Sequence, residues 1–297
     1  MIDTHAHLDF KDFDQDREEV IQRFFSQGGK AIINIGVNLE RSRKSIEIAE
    51  AHENIFAAVG FHPEYFTKHI THKMEQEFAE LKKMAKNKKV VAIGETGLDY
   101  FSHTGEPISE VQKENQKKGF LAQIEIAKEL GLPVIVHCRE AWDDLYEIIS
   151  GFNQSSDSVS SKVRPSPPAL HEERGSSKPS FPKFVLHCYS GERKDTEKFL
   201  KLPNVWFSFS GNITYPKPAE RAEKLAEAVK MIPLDRIMLD SDAPFLAPQN
   251  IRGKRNEPIF VKYIAKYIAE SKKICEEQVV KKTNKNAIDF FRLGQLG

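Results

Sequence analysis

Short apolar runs recur along this chain and alternate with segments of helical periodicity. The runs are rich in β-branched and aromatic residues and do not alternate with polar positions, as is typical of strands buried on both faces. There are eight of them: Ile2–His7, Ala31–Val37, Phe56–Gly60, Val90–Gly94, Pro133–His137, Phe184–His187, Val205–Phe209 and Ile237–Leu239. This order predicts an α/β fold. A (β/α)8 TIM barrel is favoured, and a doubly wound open sheet is the alternative.

Amphipathic segments between and after the runs predict helices. The clearest are Asp16–Gln27, Glu110–Leu130, Pro258–Ser271 and Glu276–Phe291. The second ends at Gly131-Leu132-Pro133, a combination that stops a helix. One segment interrupts the pattern, because half of the residues in Gly151–Pro182 are Ser, Pro or Gly. We therefore expect one barrel domain over residues 1–297 with a flexible insertion at 151–182, which is either a solvated loop or a contact for an anionic substrate.

Composition excludes several classes of protein. Lys and Arg number 44 and Asp and Glu number 43, so any affinity for nucleic acid must come from a local patch. The chain has no long apolar run and begins without a basic and apolar leader, so we expect neither a membrane span nor a signal peptide. Three cysteines are too few for a disulfide framework. We expect a monomer in the cytoplasm.

The strongest local signal for chemistry is the sequence His5-Ala6-His7. Residues two apart on a strand point to the same face, so two imidazoles can bind one metal ion. The alternative is a pair of exposed histidines in an irregular N-terminal segment. Apolar residues on both sides of the pair argue against that alternative.

Four more residues that can bind metal lie at the carboxyl ends of predicted strands: Glu95, His137, His187 and Asp242. In a parallel barrel these ends converge on one face. Four imidazoles and two carboxylates exceed the ligands of one tetrahedral ion. They suit two divalent cations joined by a bridging carboxylate, for which Glu95 is the natural candidate. The donor mixture admits Mg²⁺, Mn²⁺ or Zn²⁺.

Six motifs occur here in an order that resembles the TatD family of metal-dependent deoxyribonucleases. They are Asp3-Thr4-His5-Ala6-His7, Gly94-Glu95-Thr96-Gly97-Leu98-Asp99-Tyr100, Pro133-Val134-Ile135-Val136-His137-Cys138-Arg139-Glu140, His187-Cys188-Tyr189-Ser190-Gly191, Asp240-Ser241-Asp242-Ala243-Pro244 and Arg255-Asn256-Glu257-Pro258. The resemblance runs from residue 1 to about 290 and leaves out only the insertion. It implies a TIM barrel of the amidohydrolase-like superfamily, a divalent metal centre, and hydrolysis of DNA phosphodiesters, typically from a 3′ end.

The resemblance also assigns roles to residues of this chain. Those that match the family's metal ligands are His5, His7, Glu95, His137, His187 and Asp242. Asp242 is in addition the candidate general base, and Glu95, as the bridge, is the second catalytic candidate. The chain has Asp240 where the family usually has Glu. We expect the shorter side chain to affect the reaction rate and the metal preference more than the reaction class.

Four further residues are candidates for binding the substrate: His62, Arg139, Tyr189 and Arg255. Arg139 either binds a phosphate or pairs with a nearby acid. Arg255 follows the eighth strand, where barrels often hold phosphate. Tyr189 either stacks on a base or packs in the core. His62 either lies near the substrate or caps a turn.

The leading hypothesis for function is a two-metal 3′–5′ exodeoxyribonuclease that acts on single-stranded DNA or 3′ ends. The second is a metallohydrolase of a non-phosphate ester or amide, such as D-aminoacyl-tRNA. A Glu rather than a modified Lys on the fourth strand favours the nuclease. The third is a non-enzymatic protein that has kept the barrel. Its signature would be a missing ligand, and all six are present.

Overall fold

The computed structural model describes residues 1–67, 73–102, 105–154 and 182–294. Within these ranges a sheet of eight parallel strands follows the chain order from the first strand to the last. The strands are β1 (Ile2–Ala6), β2 (Ala31–Ile35), β3 (Ile55–Val59), β4 (Val90–Asp99), β5 (Val134–Arg139), β6 (Phe184–Leu186), β7 (Val205–Phe209) and β8 (Ile237–Leu239). This order confirms the barrel and excludes the doubly wound alternative, in which the strand order reverses.

Helices connect the strands and form the outer layer. They are α1 (Arg17–Ser26), α2 (Leu39–Ala51), α3 (Lys73–Met84), α4 (Glu110–Leu130), α5 (Trp142–Gln154), α6 (Arg193–Leu200), α7 (Ala219–Met231), α8 (Val261–Lys272) and α9 (Glu276–Phe291). At the start of α4, Ser109 and Gln112 form a capping box. Gly131 ends this helix in the left-handed conformation, as the stop signal predicts. The helix predicted from Pro258 begins at Val261, because Pro258–Phe260 forms a 3-10 turn.

The barrel closes where β1 meets the loop after β8. Ala6 forms a parallel bridge with Ala243. The backbone N–H of His7 donates to Ala243 O at 2.8 Å, and that of Asp242 donates to His5 O at 2.9 Å. These bonds fix Asp242 beside the two histidines of the first strand.

The other end of the barrel is filled and covered. Inward side chains of the strands, such as Ile33, Ile135 and Met238, form a buried cluster with Phe290 and Phe291 of α9. Asn284 and Asn286 of α9 bind the backbone of Ile2 and Ile237, the first residues of β1 and β8, so within the described ranges α9 covers this end of the barrel.

Strand β4 is longer than the sequence predicts. The predicted run ends at Gly94, but the pairing with β5 continues through Thr96 to Asp99. Gly97 has a φ of +142°, and a Cβ there would lie 2.0 Å from His137 O. Glycine therefore lets β4 approach β5 closely, and Glu95 lies inside the strand rather than after it.

The predicted insertion begins within a helix, since residues 151–154 complete α5. The remainder of it lies almost entirely outside the described residues. So do its basic residues Lys162, Arg164, Arg174 and Lys178, which could contact an anionic substrate. The single domain with a flexible insertion stays a prediction. None of the described helices is both long enough and apolar enough to cross a membrane.

Candidate metal centre

The structure brings the six predicted ligands together at the carboxyl end of the barrel. They lie at the base of a cavity of about 560 Å³, a size within the range of small-ligand sites. The cavity is lined by His7, Phe10, Val37, Asn38, His62, Glu64, Tyr65, Glu95, His137, His187, Asp242 and Phe245. His5 lies beneath this lining and is 1% exposed.

The two carboxylate oxygens of Glu95 face different groups of imidazoles. Oε2 lies 3.4 Å from His5 Nε2 and 3.8 Å from His7 Nε2. The same two nitrogens lie 3.9 Å and 3.6 Å from Asp242 Oδ1. Two nitrogens and two carboxylate oxygens thus converge in a first group.

The second oxygen of Glu95 belongs to another group. Oε1 lies 2.9 Å from His137 Nδ1, 3.6 Å from His187 Nε2 and 3.8 Å from His62 Nε2. The rings of His187 and His5 stack with centroids 3.5 Å apart, so the two groups touch. Glu95 lies between them and contributes one oxygen to each.

Burial lowers the pKa of one of these imidazoles, whereas neighbouring carboxylates raise the pKa of others. Burial, followed by the charge of His187, lowers the pKa of His5 to about 4. Burial also acts to lower the pKa of His7, but the contact with Asp242 and the charge of Glu95 outweigh it and raise that pKa to about 9. For His137 the hydrogen bonds to Asp99 and Glu95 likewise overcome burial and raise the pKa to about 10.

This donor set fits divalent cations. Burial acts to raise the pKa of Glu95, yet the charge of His5 and the hydrogen bond from His137 hold it well below its usual value, so the carboxylate is ionised. Imidazole nitrogens and ionised carboxylates are ligands for Zn²⁺ and Mn²⁺. Cations bound here would replace protons that the imidazoles share with the carboxylates.

Asp240, which replaces the family's usual Glu, contacts His187 rather than Asp242. Its carboxylate is fully buried and accepts hydrogen bonds from the hydroxyls of Ser208 and Ser210. Asp240 Oδ2 lies 3.4 Å from His187 Nδ1. Burial acts to raise the pKa of Asp240, but the charge of His187 brings it down to about 2. The shorter acid therefore fits a pocket closed by two serines, and it holds the ring of a candidate ligand.

Asp99 is a further residue of the site that was not predicted from the sequence. Its Oδ2 lies 3.0 Å from His137 Nε2, on the side of the ring opposite Glu95. The backbone of Asp99 is held by Gln116 of α4, whose amide exchanges two hydrogen bonds with it at 2.8 Å. Alternation along β4 places Glu95, Gly97 and Asp99 on one face. This shared face is the sequence feature from which Asp99 could have been predicted to lie near the site.

The structure corrects the prediction that Tyr189 binds the substrate. The ring is fully buried, and it packs edge-on against Trp142 and Phe207. Its hydroxyl lies 3.0 Å from Thr196 Oγ1 of α6. A Cβ on Gly191 would lie 2.4 Å from that hydroxyl, so the motif leaves room for the ring. Tyr189 is a core residue and cannot stack on a base.

We expect Tyr189→Ala to lower the free energy of unfolding by about 3–5 kcal/mol, because a large buried ring is lost. Tyr189→Phe should cost only about 1 kcal/mol, the contribution of one hydrogen bond. Urea denaturation of both variants measures the difference. An alanine variant as stable as the wild type would contradict the assignment to the core.

The two predicted arginines do not line the cavity. The guanidinium of Arg139 lies over the ring of Phe101, with Cζ 3.3 Å from the ring centroid. Arg255 forms two hydrogen bonds with Asp16, at 2.7 Å and 2.5 Å. Arg255 thus attaches the loop after β8 to the start of α1, and its binding of a phosphate stays a prediction.

The neighbouring Asn256 has a role that the sequence did not indicate. It is fully buried, and its Nδ2 donates to Ser241 O at 2.7 Å and to Phe245 O at 2.6 Å. These bonds span the segment that contains Asp242. The motif Arg255-Asn256-Glu257-Pro258 therefore holds in place the segment that contains the candidate base, Asp242. His62, in contrast, lines the cavity as the sequence analysis allowed.

Comparison with known proteins gives full-length matches. Residues 2–292 match the family model described as TatD related DNase. A Bacillus subtilis protein named uncharacterized metal-dependent hydrolase YabD is 34% identical over 293 residues, 99% of each chain. An Erwinia amylovora protein named 3′-5′ ssDNA/RNA exonuclease TatD is 30% identical over 298 residues, 99% of this chain and 100% of that protein.

Solved structures agree with these matches. The TatD homologue YjjV from Escherichia coli superposes with a TM-score of 0.79 at 26% identity, over 99% of this chain and 98% of that one. A TatD family hydrolase from Entamoeba histolytica has a TM-score of 0.75 at 23% identity, over 98% and 97%. The range matched by the family model contains all eight described strands and all six candidate ligands.

Proposed function

Because this chain belongs to the TatD-related DNase family and is a metal-dependent hydrolase, we propose that it is a 3′–5′ exonuclease that hydrolyses phosphodiester bonds of single-stranded DNA. The observation that carries the proposal is the position of Glu95 between two groups of imidazoles. A carboxylate shared by two cations is the arrangement used for phosphoryl transfer in two-metal sites. The name of the Erwinia relative supports the same reaction.

Each group would hold one cation. His5, His7 and Asp242 would bind the first, and His137 and His187 the second, with Glu95 binding both. When bound, such a pair neutralises charge on the phosphate and lowers the pKa of water. The identity of the ions is left open by the donor set, which admits Mg²⁺, Mn²⁺ and Zn²⁺.

The protein's own groups would orient the reaction and move the proton. The Asp242 side chain is 14% exposed and faces the cavity, so it can accept a proton from the attacking water. Asp99 and Asp240 hold the rings of His137 and His187 in fixed orientations. The cavity is of small-ligand size, which suits a chain end better than the middle of a duplex.

The proposal is tested with a single-stranded oligonucleotide labelled at its 5′ end. With Mg²⁺, Mn²⁺ or Zn²⁺ the protein should shorten the strand stepwise from its 3′ end, and EDTA should stop the reaction. His137→Ala should lower the rate by at least about 10³, as expected for loss of a ligand in a two-metal site. His52→Ala is the matched control, because His52 lies outside the cavity and pairs with Glu18. Hydrolysis of a D-aminoacyl ester without shortening of DNA would contradict the proposal.

We expect Asp240→Asn to raise the metal concentration needed for half-maximal activity by about 10- to 100-fold. The amide has no charge to balance His187 and would face two serine hydroxyls that now donate to a carboxylate. Titration of apoprotein with Mn²⁺ measures the change. Asp289→Asn, on the outer surface of α9, serves as the control, since Asp289 pairs only with Lys285 among the acid–base contacts of the described chain. An unchanged metal requirement in Asp240→Asn would show that the carboxylate does not support the site.

A further inference from the structure

Aromatic side chains are gathered at the mouth of the cavity. The large hydrophobic side chains that are exposed in the described part of the chain are Tyr65, Val111, Leu121 and Phe245. The two aromatic ones both line the cavity, together with Phe10, while the two aliphatic ones lie elsewhere on the surface. We call Phe10, Tyr65 and Phe245 the aromatic rim. Exposed aromatic side chains grouped at the mouth of a polar site indicate a contact for a ligand.

Phe245 is held in place although its side chain is half exposed. Its backbone N–H donates to Asp242 O at 2.8 Å, and its carbonyl accepts from Asn256 Nδ2 at 2.6 Å. The ring is 5.6 Å from Phe10 at 85° and 6.2 Å from His7 at 68°, both edge-to-face arrangements. The Phe245 side chain is 48% exposed beside a candidate metal ligand, and the two backbone hydrogen bonds hold it there.

Phe10 forms a fixed wall behind Phe245. The guanidinium of Arg41 lies over the Phe10 ring with Cζ 4.5 Å from the centroid. Arg41 is itself bonded to Asp9, at 2.8 Å to the carbonyl and 3.2 Å to the carboxylate. Phe10 also leans on His7, with centroids 4.8 Å apart. Because these contacts immobilise Phe10, a flat group that enters the cavity meets a preformed surface.

The charges of the cavity wall point to the kind of group that this surface binds. Among the described lining residues there is no Lys or Arg, whereas Glu64, Glu95 and Asp242 are acids. The wall itself therefore offers little attraction to the phosphates of a strand. Nucleobases, in contrast, stack on aromatic rings without regard to sequence, and this contact alone contributes substantially to binding of single strands.

We propose that Phe245, supported by Phe10, stacks on the 3′-terminal base of the strand and so places the adjacent phosphodiester over Glu95 and Asp242. This inference rests on the proposed function. The terminal base then contributes to binding. A base in a duplex could make the same contact only after it has left its own stack. A preference for unpaired 3′ ends, without sequence specificity, follows from it.

The test compares two 5′-labelled DNA oligonucleotides that differ only in the 3′-terminal residue, which is deoxyadenosine in one and abasic in the other. Phe245→Ala should raise KM for the first by about tenfold, which corresponds to about 1.4 kcal/mol of stacking. For the abasic strand the same variant should change KM by less than about twofold, and kcat should stay within about threefold on both, because binding of the base precedes chemistry.

Two further variants separate stacking from simple apolar contact. Phe245→Tyr should keep the wild-type KM, while Phe245→Leu should behave as the alanine variant does. Leu121→Ala removes an exposed apolar side chain far from the cavity and should leave both KM values unchanged. A KM of Phe245→Ala that does not rise for the deoxyadenosine strand, or that rises equally for both strands, would overturn the stacking proposal alone. A wild-type protein that shortens neither strand would overturn the proposed function, and the stacking proposal with it.

Discussion

Replacing Glu95 by Gln is expected to lower kcat by at least about 10³, the equivalent of roughly 4 kcal/mol of lost charge stabilisation. The two oxygens of Glu95 face the two imidazole groups separately. An amide of the same shape carries no charge and has only one oxygen, so it cannot serve both groups. Steady-state rates on single-stranded DNA, with metal content measured in parallel, should show that activity and bound cation fall together.

The control for this variant lies in the same cavity. Glu64 also lines the cavity, but its carboxylate is not among the candidate ligand groups. Glu64→Gln should therefore stay within about threefold of the wild-type rate, a change that does not signify a transition-state contact. If Glu95→Gln kept more than a tenth of the wild-type activity, a shared carboxylate would not be the basis of catalysis.

Asp242→Asn is expected to lower kcat by about 10² to 10⁴, the range for loss of a general base, with a much smaller change in KM. Asn retains an oxygen that faces His7 and His5, whereas the group that accepts the proton is lost. Loss of a ligand alone would instead appear first as a weaker affinity for metal. A titration with Mn²⁺ alongside the kinetics separates the two effects.

Asp240→Asn provides the comparison for Asp242→Asn. Both acids belong to the loop after β8, but Asp240 is fully buried. It faces His187 Nδ1, whereas Nε2 of the same ring faces Glu95. Its variant should change the requirement for metal more than the rate at saturating metal. If Asp242→Asn gave the same pattern, with kcat unchanged at saturating metal, Asp242 would be a ligand and not the base.

The barrel and the grouping of the six candidate ligands could be predicted from the sequence for a physical reason. Strands buried on both faces require continuous apolar runs, so they stand out in the sequence. A polar residue that directly follows such a run must lie at the carboxyl end of the barrel. His187 and Asp242 were located in this way, and the structure places His187 beside Glu95 and Asp242 beside His5 and His7.

The direction in which a side chain points at the strand ends could not be read from the sequence. Tyr189 and Arg255 lie at the correct end of the barrel, yet one packs into the core and the other pairs with α1. Phe245 shows the opposite case, since an apolar residue after Pro244 gave no sign of exposure. Its position depends on the hydrogen bonds from Asn256 and to Asp242, which only the folded loop creates.

The most direct test of the account is a crystal of the protein soaked with Mn²⁺, from which anomalous scattering locates the ions. We expect two peaks at the base of the cavity, each about 2.0–2.2 Å from a different oxygen of Glu95, as carboxylate ligands of such ions require. One peak should also contact His5 and His7, and the other His137 and His187. A single ion that does not contact Glu95, or peaks away from these imidazoles, would contradict a site built from two cations and one shared carboxylate.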